Sequence, residues 1–405
     1  MIALTGADLV LPDRLLQSAT LTIHDGRIVD ISAGAPAGQP SAVAFPGHTI
    51  APGFIDVHVH GVSGVDTHDE DDAVGRIASA LPRFGVTAFC PTTVACAPAD
   101  LQRVLDQVRR WRGAPSAYSA RVLPAHLESN FLNPEYCGAQ PRDCLRRAAA
   151  LLPANRAAGS PHPGTDAFTA QDILRVIETG AADIAIVTMA PEIEGGLELV
   201  AWLVGLGIRV SLGHSGATCD EGLAAIAAGA RQATHLFNRM PPLHHRQPGL
   251  AGAVLQSNDV AAEVICDGTH VHPALVRLVV AAKTPSRVMA VSDGTAASAL
   301  PPGTSARLGG RTIVASATCA TLEDGTMAGS TLTMDEAFRR LTGLMGFSPV
   351  DAVVMCATTP ARELGLVGHG LLAEGAVADL VVLDRAGAVV QTYVGGRLVY
   401  ARGAT

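Results

Sequence analysis

Apolar and polar positions alternate with period two over much of the first fifty residues. Ala19-Thr20-Leu21-Thr22-Ile23-His24 has the pattern of a half-buried strand, and the Asp25-Gly26 that follows predicts a hairpin turn. The C-terminal stretch is patterned alike, with apolar runs at 380–383 and 389–394, then Gly395-Gly396, then a run at 397–400. Together the two ends, residues 1–51 and 361–405, predict one small β-sandwich. The middle of the chain follows a different pattern. Short, almost uniformly apolar runs predict strands at 53–58, 88–92, 122–128, 184–189, 209–214, 232–235, 262–266 and 287–292. Helical stretches such as 172–178 and 220–228 lie between them. Eight strands with intervening helices predict an α/β fold, a (β/α)8 TIM-type barrel over residues 52–360. An open, doubly wound sheet is the alternative, but it would not gather the ends of strands one, three, five, six and eight around one point. The Gly-rich stretch 296–329 reads as irregular with short strand-like pieces, leading to a helix start near Asp335.

Composition narrows the function. The chain has 405 residues, of which 48% are hydrophobic, and its mean hydropathy is +0.29. No apolar run approaches the ~20 residues that a membrane span needs. A net charge of −8 argues against a nucleic-acid face, so an anionic substrate would need a local cationic pocket. The N-terminus lacks the basic and apolar regions of a signal peptide, which points to the cytoplasm. Cys90, Cys96, Cys137, Cys144, Cys219, Cys266, Cys319 and Cys356 contain no C-x-x-C pair, so neither a disulfide framework nor a thiolate zinc site is expected. Lys283 is the only lysine, and it follows a helical stretch rather than a strand. A carboxylated lysine bridging two metals is therefore not expected, and a carboxylate such as Glu128 must serve instead.

The chemistry lies at the strand ends. His58 and His60 are two apart on strand one, so both side chains face one way. Glu128 ends strand three, His214 strand five, His235 strand six and Asp293 strand eight. Each closes an apolar run before a turn containing Gly or Pro, on the rim where barrel active sites form. Neutral imidazoles and carboxylates suit a divalent ion, zinc first, although iron and cobalt share these ligand types. A carboxylate beside metal-activated water is the natural general base and later general acid, a role that Asp293 fits. His126 points the same way as Glu128 and reads as a supporting residue. The 68–72 run (His68-Asp69-Glu70-Asp71-Asp72) reads as the acidic first turn of a helix. His162, between two prolines, reads as loop, and His244-His245 receive no role.

The run 51–61, Ala51-Pro52-Gly53-Phe54-Ile55-Asp56-Val57-His58-Val59-His60-Gly61, resembles the strand-one signature of the amidohydrolase superfamily. Nearly the whole chain resembles the N-acetylglucosamine-6-phosphate deacetylases. The matching motifs are His126-Leu127-Glu128 through Phe131-Leu132-Asn133-Pro134, Leu212-Gly213-His214-Ser215, and Thr234-His235-Leu236-Phe237-Asn238. Pro248-Gly249-Leu250-Ala251-Gly252, Asp267-Gly268-Thr269-His270-Val271 and Ala328-Gly329-Ser330-Thr331-Leu332-Thr333-Met334 complete the set. The resemblance implies a barrel with a β-sandwich, usually a homodimer, that removes acetyl from a phosphorylated amino sugar. It implies that Glu128, His214 and His235 hold the principal metal, with His58 and His60 available to a second ion. By the same resemblance Asn238, Arg246 and His270 would meet sugar and phosphate, with Asp267 and Met327, Ala328 and Gly329 lining the pocket.

Departures fall in the substrate-facing shell. Ser129-Asn130 replace the family's Gly-Pro after the metal glutamate, and Ser292-Asp293-Gly294 its usual Thr-Asp-Ala. Gln140 stands where the family has a histidine associated with the acetyl carbonyl. Arg239 adds a cation where alanine is usual. These changes keep open the same deacetylation on a different N-acyl amino sugar. A catalytically silent, barrel-based binding protein is the reading from another class, and it conflicts with the full set of ligand positions.

Overall fold

Barrel strands form here because their runs are apolar on both faces. Phe54–Val59 and Val86–Thr93 are buried at every position, as expected of a parallel sheet enclosed by helices. The computed structural model describes residues 1–34, 42–152 and 167–403; His162 lies outside them. The parallel strands follow in chain order around the barrel: Phe54–Val59, Val86–Thr93, Ala125–Glu128, Ile184–Met189, Arg209–Leu212, Gln232–Ala233, Ala261–Ile265 and Val288–Val291. The ring nearly closes through a parallel bridge between Val59 and Gly294. Hydrogen bonds from the His60 amide to the Gly294 carbonyl (2.7 Å) and from the Asp293 amide to the His58 carbonyl (2.9 Å) reinforce it. The expected barrel is borne out over the open sheet. Outer helices begin where their sequences cap them: Thr169 with Asp172, and Thr218 with Glu221, form reciprocal capping boxes at Ala170–Gly180 and Cys219–Ala227. No helix among the described residues is long and apolar enough to cross a membrane.

Three expectations change in detail. Strand three is not continuous over 122–128 but splits into Arg121–Val122 and Ala125–Glu128, because Pro124 has no N–H to give the ladder. The acidic run after His68 precedes the helix Ala73–Ala80 instead of forming its first turn. The Asp72 carboxylate is taken by Arg110 and Trp111 (both 2.7 Å), and His68 is half-buried, accepting the Val94 amide. The stretch after strand eight, expected to be irregular with short strand-like pieces, has those pieces paired into an antiparallel sheet of Ser305–Leu308, Arg311–Ala315, Cys319–Thr321 and Met327–Ser330. Gly309 and Gly310, with φ of 54° and 82°, make the tight turn between its first two strands. Its last strand returns to the barrel, where the Ser330 amide meets the Asp293 carbonyl at 2.8 Å. That return puts Met327 and Gly329 at the barrel mouth.

The chain ends pair into one eight-stranded sheet. Thr49–Pro52 sits at its centre, antiparallel to Leu380–Leu383 and parallel to Ile2–Val10. Leu4, Leu9, Leu21, Ile28, Ile50, Leu380 and Val382 form its core, separate from that of the barrel. Asp379 stands at the junction of the two cores. Arg121 reaches its two carboxylate oxygens from the barrel (3.1 Å each), His369 Nδ1 lies at 2.9 Å, and the Gly395 amide donates at 2.6 Å. Burial would raise this carboxyl, but His369 and Arg121 hold it below the ordinary carboxylate value.

Candidate active site

Every candidate metal ligand lies within or just past the C-terminal end of a barrel strand, and all are nearly or wholly buried. His214, His235 and Asp293 adopt left-handed backbone angles, with φ of 48°, 28° and 47°. Such angles are uncommon outside glycine and collect at functional sites. Here they turn each side chain inward as the chain leaves its strand. Gly329 must be glycine for the same reason of space: its φ is +70°, and a Cβ there would lie 2.9 Å from the Asp293 carbonyl oxygen.

Glu128 is the centre of the group. One carboxylate oxygen lies 2.9 Å from His214 Nε2, 3.0 Å from His235 Nε2 and 3.7 Å from His58 Nε2. The other lies 3.5 Å from His60 Nε2 and accepts the Gln140 amide N–H. Asp293 Oδ1 stands 3.3 Å from His58 Nε2 and 3.4 Å from His60 Nε2. The far side of two rings settles their tautomers. His214 Nδ1 faces the Tyr136 carbonyl at 2.9 Å, and His58 Nδ1 faces the Glu263 carboxylate at 2.8 Å. A carbonyl or carboxylate takes an N–H, so in the neutral rings both Nε2 lone pairs point at Glu128, Asp293 and neighbouring rings. Nitrogens converging on carboxylate oxygens require positive charge between them, either protons on the rings or a bound cation. Burial would lower the His58 pKa, yet Glu263, Asp293 and Glu128 outweigh it and raise it to about 10. Glu128 is held well below the ordinary value against its burial by His214, His235 and His58, and Asp293 below it by His58 and His60.

This donor set fits a divalent ion. Two groups, His58–His60–Glu128 and Glu128–His214–His235, each keep their ligand atoms within 4.8 Å of one another and share Glu128. His126 joins His58 and Glu263 in a third such group. Its nitrogens are already engaged, Nδ1 by the Val57 carbonyl (2.8 Å) and Nε2 by Thr188 Oγ1 (2.7 Å), so it supports the His58 ring by contact. Lys283 takes no part: its ammonium donates to the Val254 and Ser257 carbonyls, and burial pushes it down to about 8.

The group opens into a cavity of about 440 Å³ lined by Gln140, Asn238, Arg239, His270, Met327 and Gly329 as well as the ligands. Three expected pocket residues are elsewhere. Asp267 lies behind His270, whose Nδ1 it holds at 2.5 Å; Ala328 is buried in the small antiparallel sheet's core; Arg246 is exposed on its loop. Glu263, which lies 2.8 Å from His58 Nδ1, is a buried carboxylate of this cluster that the strand-end pattern does not pick out. Its signal is a lone carboxylate inside the apolar run Ala261–Ile265, because such a group must be paired when buried. Asp56 is the same case in strand one, raised to about 6 by burial and bonded to Ser292 Oγ at 2.5 Å.

Residues 49–399 match the amidohydrolase family. N-acetylglucosamine-6-phosphate deacetylase of Bacillus subtilis is 30% identical over 398 residues, covering 97% of this chain and 95% of that protein. The chain belongs to this deacetylase family. Another relative, an N-acetylgalactosamine-6-phosphate deacetylase of Escherichia coli O157:H7, is 32% identical and covers 95% of this chain and 97% of that protein. Among solved structures, a mutant N-acetyl-D-glucosamine-6-phosphate deacetylase of Mycobacterium smegmatis superposes with a TM-score of 0.86 at 33% identity. That structure holds N-acetyl-D-glucosamine-6-phosphate, and the match covers 99% of each chain.

Proposed function

We propose that this protein removes acetyl from N-acetylglucosamine 6-phosphate, giving glucosamine 6-phosphate and acetate. The observation that carries the proposal is the Glu128-centred donor set, which opens beside Asp293 into a cavity with its own cationic lining. We assign zinc to Glu128, His214 and His235, and a second ion to His58, His60 and the shared Glu128. In such a site a divalent ion supplies Lewis acidity and lowers the pKa of water.

The chain's own residues do the rest. Asp293, held ionised by the histidines around it, takes the proton from the attacking water. It then passes that proton to the sugar nitrogen as the C–N bond breaks, so the amine leaves neutral. The Ala95 amide donates to Gln140 Oε1 at 2.8 Å, which fixes the side chain's orientation. Its NH₂ therefore faces Glu128 and the cavity, where its second hydrogen is available to the acyl carbonyl. Arg239, Asn238 and His270 serve the phosphorylated sugar from the cavity wall, and Arg246 adds a planar fork for phosphate from its exposed loop. The protein acts in the cytoplasm as a homodimer, in which that loop is free to meet a neighbouring copy's site. Residues 52–360 form the catalytic part, and residues 1–51 with 361–405 the supporting β-part.

A second reading keeps the chemistry and changes the sugar. Arg239 lines the cavity with no carboxylate partner among the described residues, and a relative is named for the galacto epimer. The test is acetate release by zinc-loaded protein from N-acetylglucosamine 6-phosphate, its galacto epimer and unphosphorylated N-acetylglucosamine. Preference for the gluco 6-phosphate supports the first reading and preference for the galacto 6-phosphate the second. Release from none of the three rejects both.

A further inference from the structure

Glu263 lies in the seventh barrel strand among Ala261, Ala262, Val264 and Ile265, with none of its surface exposed. A carboxylate so placed must be bonded on both oxygens. One faces His58 Nδ1 at 2.8 Å and accepts the His235 backbone amide at 3.3 Å; the other accepts the Gln232 side-chain amide at 2.5 Å. Gln232 has no freedom to flip, since Arg209 Nε donates to its oxygen at 2.8 Å. Glu263 thereby joins strand seven to strands six and one directly beneath the ligand cluster. The contrast lies two residues further along strand one. Among the described residues His60 Nδ1 is buried without a hydrogen-bond partner, as is His235 Nδ1, so no such group behind either ring sets its tautomer. His126, also near Glu263, has both nitrogens engaged elsewhere.

We propose that Glu263 is a positioning residue of the ion site. By holding the Nδ1–H of His58 it keeps the Nε2 lone pair turned into the centre, and so lets His58, His60 and Glu128 hold a second divalent ion. This rests on the metal-hydrolase reading above and extends it to a residue that touches neither substrate nor ion. Carboxylates behind ligand histidines commonly tune metal affinity 10–100-fold.

The test is zinc content per chain by elemental analysis and zinc affinity by chelator competition, for the wild type, Glu263→Gln and Glu263→Ala. Unfolding midpoints are recorded alongside. The wild type should bind two zinc ions. Glu263→Gln keeps an acceptor but loses the charge, and should weaken the second zinc by roughly 10–100-fold while leaving the first within about twofold. Glu263→Ala should retain one zinc; if it does not fold, the Gln variant decides. Unchanged affinity for both ions in Glu263→Gln overturns the proposal, as does parallel loss of both ions with loss of fold. A wild type that binds only one zinc overturns it too but leaves the hydrolase reading intact. A wild type that binds none rejects that reading as well.

Discussion

Glu128 at the barrel mouth and Asp379 at the barrel–sheet junction are both buried, and both are held below the ordinary carboxylate pKa although burial alone would raise them. Their partners differ in kind. Asp379 faces a guanidinium, a backbone amide and a histidine, and all of its needs are met within the protein. Glu128 faces four imidazoles, and the tautomers of His58 and His214 turn lone pairs toward it. One carboxylate is complete with fixed partners; the other depends on positive charge that either ring protons or a bound cation can supply. Burial of a carboxylate therefore does not mark a site. What marks it is a ring of imidazoles as partners, whose nitrogens can exchange a proton for a metal ion.

The comparison can be broken at either end. The largest effect is expected for Asp293→Asn, which keeps shape but cannot take a proton: kcat should fall on the order of 10³-fold with zinc content unchanged. A loss below tenfold would remove Asp293 from the proton-transfer role. At the junction, Asp379→Ala should cost about 1.5–3 kcal/mol of stability, the range of hydrogen bonds to a charged group. Activity of the folded protein should stay within about twofold. The pH dependence follows from the sign of the shift. Asp379 titrates below 3.8 in the folded chain, so its contribution is complete above 3.8 and is lost as the pH falls through the folded value. The stability gap between wild type and Asp379→Ala in denaturant titrations should therefore be constant near neutrality and shrink in acid below pH 3.8. A gap that instead widens in acid would contradict the assignment. The smallest effect is expected for Arg239→Ala, where KM for the sugar phosphate should rise roughly tenfold with kcat little changed. An equal change with the unphosphorylated sugar would mean that Arg239 does not read the phosphate.

The same contrast explains what is legible in the sequence. Barrel strands are buried on both faces, so each shows as an apolar run that stops where chemistry begins. That is why His58, Glu128, His214, His235 and Asp293 can be placed at one rim from spacing alone. Glu263 stays hidden because it interrupts its run rather than ending it, and its partner His58 lies far away along the chain. Motif context puts Arg246 in the pocket, but a loop arginine carries no periodicity to say where it points. The antiparallel sheet after strand eight is obscured because its strands are short and partly exposed, with alternation weaker than their glycines. The split at Pro124, by contrast, is written in the sequence as a residue that cannot donate to the ladder.

The most direct test of the central claim is thermal unfolding of chelator-stripped protein with increasing zinc, in the wild type and in Glu128→Gln. The account predicts that zinc stabilises the wild type by an amount that grows with its concentration, about 2.7 kcal/mol at a hundredfold excess over Kd. Glu128→Gln should gain far less. A wild type whose unfolding is indifferent to zinc would contradict the account, because the converging imidazoles around Glu128 would then need no ion.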